Sequence, residues 1–98
     1  MVHTIHLICR DDLHIEHLPD GTFRTGVWLV SLKTATEAQR IALHRSRSEV
    51  SFLQGRRLKS VAGLVDGKRR FTFLVREDAE AVGWPADGGA GEKAYSGG

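Results

Sequence analysis

The sequence predicts a small, mainly β member of the α+β class: a strongly curved sheet or partly open β-barrel carrying one short helix. Three observations support this. Turn signals at Pro19-Asp20-Gly21 and Asp66-Gly67 each lie between segments rich in β-branched and aromatic residues. Only one stretch, after Lys33, carries helix-start signals. At 98 residues, 41% hydrophobic and 27% charged, the chain has the size and composition of one ordinary domain.

The elements follow in order. Ile5-His-Leu-Ile-Cys9 is an apolar strand. At the first turn, Pro presets φ, Asp favours the bend and Gly supplies a left-handed position. Pairing Leu18 with Thr22 places Glu16 across from Arg24, and puts Leu13 and Ile15 on a face with Phe23, Val27 and Leu29. Val27-Trp28-Leu29-Val30 lacks strong alternation, as a central strand covered on both sides would. Thr34 to Glu37 and Thr36 to Gln39 form overlapping capping boxes that predict a short helix. Ile41-Ala-Leu-His44 fits either the end of that helix or a brief strand, and Arg45 to Ser51 is a polar loop.

The second hairpin is the most legible element. Asp66-Gly67 joins Arg57–Val65 to Lys68–Arg76, and pairing Val65 with Lys68 fixes the register. Leu58, Ala62, Leu64, Phe71, Phe73 and Val75 then share a core face, while Arg57, Lys59, Lys68, Arg70 and Arg76 share the other. Arg57 faces Arg76 in this register, an unfavourable pair unless an anion lies between them. From Pro85 the chain is glycine-rich with no apolar periodicity, so residues 1–84 are expected to form one globular domain and 85–98 a disordered tail.

Charge is segregated. Residues 24–76 hold twelve cations against three carboxylates, a net +9, whereas residues 1–23 carry −3 and 77–98 carry −4. A concentrated basic segment is relieved of self-repulsion by a polyanion, which predicts a nucleic-acid-binding domain, for DNA or RNA, that neutralises phosphates. The expected contacts are Arg57, Lys59, Lys68, Arg70 and Arg76, with Arg45, Arg47 and Arg56 at the edge. The alternative is a protein-interaction or regulatory module whose basic face docks an acidic partner, as a monomer or as a homodimer through an edge strand.

No catalytic signature, cofactor motif or glycine-rich phosphate loop is present in the sequence, so binding rather than catalysis is expected. His3 with His6, and His14 with His17, are three apart and fall on opposite faces of a strand, which argues against chelation. Asp12, His14 and Glu16 alternate onto one face and form the only metal or acid–base candidate, against which Glu16 has Arg24 as a partner. His17 is expected in the core, His44 at a helix C-terminus, Trp28 in the core or as a platform, and Trp84 as a pin for the chain end. The single cysteine, Cys9, fits a buried apolar position in a reducing cytoplasm, and no apolar run approaches the ~20 residues a membrane-spanning helix needs.

The segment from Thr25 to Glu77 resembles a pared-down PUA or EVE-type small β-barrel. The likeness rests on Gly26-Val-Trp-Leu-Val30, Ile41-Ala-Leu-His44, Ser51-Phe-Leu-Gln-Gly55 before a basic strand, and Phe71-Thr-Phe-Leu-Val75. It implies recognition of RNA or a modified DNA base by a barrel rather than catalysis, and it transfers no binding residue to this chain.

Overall fold

The computed structural model describes residues 2–9, 14–86, 88 and 91–97. Among them, seven strands form one mixed sheet: β1 (Val2–Ile8), β2 (Glu16–His17), β3 (Thr22–Arg24), β4 (Arg40–His44), β5 (Leu53–Val65), β6 (Lys68–Glu77) and β7 (Lys93–Gly97). A helix, α1 (Leu32–Glu37), lies between β3 and β4. The spatial order is β2-β3-β6-β5-β4-β1-β7, with β1 and β4 parallel and every other neighbour antiparallel. The mainly β expectation holds, but the sheet does not close into a barrel: β2 and β7 are its edges. It curls enough that the Lys93 ammonium donates to the Leu29 carbonyl.

Strand alternation builds two faces. Ile5, Leu7, Phe23, Ile41, Leu43, Leu53, Phe71, Phe73 and Val75 form the core on one side, covered by Trp28, Val30, Ala35 and Ala38 of the crossover from β3 to β4. On the other side the chain after β6 lies as a strap across β4 and β5. Gln54 exchanges bonds with Asp78, Ser51 does the same with Val82, and Arg40 grips Asp78 with both guanidinium nitrogens at 2.7 and 3.1 Å.

Both turns form as expected. Leu18 N–H bonds the Thr22 carbonyl, Glu16 stands opposite Arg24 and bonds it, and Gly21 has φ +82°. Asp66 and Gly67 have φ of 53° and 76°, the two left-handed positions of a type I′ turn. From Val65–Lys68 the register runs true back to Lys59 opposite Leu74, and there a bulge absorbs Leu58. Arg56, rather than Arg57, therefore faces Arg76, and Arg57 moves to the core side opposite Val75. At Gly55 the Arg76 carbonyl lies 1.8 Å from where a Cβ would stand, so only glycine permits that closeness of β5 and β6.

Four further expectations change. Val27–Val30 is no central strand: Trp28 makes a single bridge to Phe71, Val30 is buried, and Val27 and Leu29 are exposed, so the run crosses the core with alternate residues inward. The helix begins three residues early because Ser31 caps it, its hydroxyl accepting from Thr34 N–H at 3.1 Å, and Ile41–His44 belongs to β4. His17 lies exposed beside the Phe23 ring instead of in the core. Residues 93–97, placed by composition in a disordered tail, form β7 because β1 offers an edge and Ala94 packs into a buried position there.

Candidate nucleic-acid interface

The face of the β5–β6 ribbon turned away from the core carries Arg56, Lys59, Lys68, Arg70 and Arg76. Arg40, Arg56, Arg76 and Thr22 form one row across β4, β5, β6 and β3. Arg40 is neutralised by Asp78, whose carboxyl is held below its usual range chiefly by the arginine's hydrogen bond. Among the described residues no carboxylate lies within ion-pair distance of Arg56, Lys59, Lys68, Arg70 or Arg76. Arg56 and Arg76 thus face each other without an ion pair among the described residues, although the Asp20 carboxylate lies near enough to Arg76 to be lowered by its charge and the Arg76 guanidinium donates to the Asp20 carbonyl at 3.4 Å. Arg70 is half-buried with its Nε lacking a partner, in a hollow beside Trp28 and Leu29.

Where the β4–β5 ladder ends, a hollow of about 530 Å³ is lined by His3, Gln39, Arg40, Arg56 and Arg57. Two of its arginines are held in place: Arg40 by Asp78, and Arg57 by the carbonyls of Ala38 and Thr36 and the hydroxyl of Ser60, at 2.6, 3.0 and 3.2 Å. Arg57 is thus a cap for the last carbonyls of α1, with burial lowering its pKa, and is not a free surface cation.

Arg45 and Arg47 also lie apart from the face. They follow the far end of β4, roughly 17 Å along the strand from Arg40 at 3.3 Å per residue. Arg45 stacks over the Phe52 ring at 4.2 Å, and Arg47 donates to the Gly91 carbonyl at 3.2 Å. Of the acid–base candidate, Asp12 lies outside the described residues, His14 is exposed, and Glu16 is paired with Arg24.

The sequence reading missed a buried polar chain under the strap. His44 Nδ1 donates to the Glu49 carbonyl at 3.0 Å, which leaves its Nε2 an acceptor for His6 Nδ1–H at 2.9 Å. His6 Nε2 must then accept from the Ser96 hydroxyl, also at 2.9 Å. Trp84 stands edge-on to both imidazoles, 5.3 Å from His44 and 6.0 Å from His6. Burial, reinforced by His44, lowers the His6 pKa to about 4, and burial lowers His44 despite the Glu49 carbonyl. Both rings are therefore neutral near pH 7. The sequence signal was parity: His6 and His44 each fall on the side opposite the large apolar residues of their strands.

No family model, curated protein or solved structure matches this chain.

Proposed function

We propose that this protein binds nucleic acid through the phosphate backbone, using Arg56, Lys59, Lys68, Arg70 and Arg76. The observation that carries the reading is the directly opposed pair Arg56 and Arg76, with no ion pair to either among the described residues. Like charges across a ladder are unfavourable by themselves, and a phosphate between them, held bidentately, removes the conflict. The adjoining hollow reaches Arg56 from the side of β4, while its other two arginines are held by Asp78 and by the end of α1. Recognition of RNA or a modified base, implied by the resemblance to PUA and EVE domains, belongs to the same class, and the lone cysteine fits a reducing, cytoplasmic setting.

The test is fluorescence anisotropy with labelled single- and double-stranded DNA and RNA at several salt concentrations. With four to five phosphate contacts, duplex affinity is expected to fall by about 10² between 50 and 200 mM salt. Arg56→Glu with Arg76→Glu should abolish most binding and flatten the salt dependence. Unchanged affinity in that variant overturns the assignment, and absence of binding at low salt turns the face over to an acidic protein partner.

A further inference from the structure

Up to Arg57, β5 lies beside β4, the Arg57 N–H donating to the Gln39 carbonyl. Beyond it, Leu58–Val65 pairs only with β6, leaving a long unpaired edge. Which groups face that edge follows from the other side of the ribbon. Phe71 and Phe73 turn their backbone groups to Trp28 and Thr25, so Thr72 and Leu74 turn toward β5 and engage Val61 and Lys59. Ser60, Ala62 and Leu64 consequently present their N–H and C=O groups outward, with no backbone partner among the described residues.

The Leu58 bulge, Lys59 and the bond of the Ser60 hydroxyl to the Ala35 carbonyl of α1 guard the start of this edge, whereas residues 61–64 are exposed and carry no charge or proline. Leu58, Val61 and Leu64 are 43, 48 and 77% exposed, and Lys59 is the one charge between Leu58 and Val65. Gly63 is unexplained within the chain. Its φ is not left-handed, and a Cβ there would meet nothing within 4 Å. A glycine inside a strand weakens it and marks a close approach by something else.

We propose that two copies of this chain pair antiparallel along the Leu58–Leu64 edge, with Val61 on the two-fold axis. That register is self-complementary. Val61 meets Val61 of the second copy on the basic face, Ser60 meets Ala62, and Leu58 meets Leu64. Lys59 meets Gly63 at both symmetry-related positions, so each ammonium stem crosses a residue with no side chain. The cations of β6 lie three inter-strand spacings from those of the second copy, about 14 Å, beyond the ~8 Å screening length at physiological salt. The result is a continuous sheet with both basic faces on one side. The pairing stands on the free edge alone and requires no nucleic acid.

Sedimentation equilibrium of the full chain without nucleic acid tests it. The wild type is expected at twice 10.8 kDa at concentrations up to about 100 µM, where micromolar complexes are populated. Gly63→Lys sets an ammonium opposite Lys59 of the second copy twice over and should give a monomer, with thermal melts confirming that it folds. Adding Lys59→Glu makes the facing charges opposite and should restore the dimer. A monomeric wild type, a dimer that survives Gly63→Lys, or failure of the double variant to recover overturns the proposal.

Discussion

Acid should destabilise this protein through its buried imidazoles, His6 above all, before Asp20 and Asp78 give up their contributions. His6 has an ordinary value of 6.5 when unfolded and about 4 when folded. A depressed folded value means that the unfolded chain takes up the proton first, so the stabilisation is complete above pH 6.5 and is lost as pH falls toward 4. At 1.36 kcal/mol per pH unit, His6 alone removes about 2 to 3 kcal/mol between pH 7 and 4.5, and His44, shifted the same way, adds to it. The window is clean on the acid side. Asp20, lowered chiefly by the Thr22 hydroxyl, and Asp78, lowered chiefly by Arg40, surrender their contributions only as pH drops below about 4. Urea titrations across pH 4.5 to 7 measure the slope. In His6→Asn the side-chain amide still donates to His44 Nε2 but does not titrate, so it should cost stability at pH 7 yet flatten the profile. A loss under about 1 kcal/mol in the wild type, or an unchanged slope in His6→Asn, would refute the reasoning.

Other perturbations have distinct signatures. Gly55→Ala drives a methyl into the Arg76 carbonyl and should cost about 3 kcal/mol or more in a urea melt, because β5 and β6 must separate. Arg57→Ala releases the carbonyls of Ala38 and Thr36 and should cost about 1–2 kcal/mol by chemical denaturation while leaving the salt dependence of nucleic-acid binding intact. Trp84→Ala uncovers the imidazole pair, so the His6 pKa measured by NMR should rise toward 6.5, with a stability loss of about 2–3 kcal/mol. Removing the exposed Glu16–Arg24 pair by Glu16→Ala should change the unfolding free energy in a urea titration by less than about 1 kcal/mol.

What was legible in the sequence was what neighbours dictate. Asp66-Gly67 determined its own turn and the pairing for seven residues on either side, and Pro19-Asp20-Gly21 determined the Glu16–Arg24 pair. Alternation counted outward from the turn put Lys59, Lys68, Arg70 and Arg76 on one face correctly. It failed at Leu58, because a bulge forms where β4 ends and Arg57 can reach the open carbonyls of α1, a tertiary bond that no local pattern announces. Likewise β7 is a strand only in the presence of β1, and His6 met His44 only through a parallel pairing of strands, the two rings lying 38 positions apart in the sequence. Arg45 and Arg47 were expected at the edge of the basic face, whereas the direction of β4 carries them to its other end.

The neighbouring positions of β1 and β7 make the chain rewirable. Val2 and Gly97 stand opposite each other, one strand spacing of about 4.8 Å apart, so a glycine bridge of about two to four residues would join them. Opening the backbone at Asp66-Gly67 would then give a circular permutant with the same sheet and an inverted folding order. The β1–β7 ladder, now closed across most of the chain, would become a local hairpin, and β5–β6, now the most local contact, would become the last to close. Comparing the refolding rates of the two connectivities would show which of these ladders is the bottleneck in assembling the sheet.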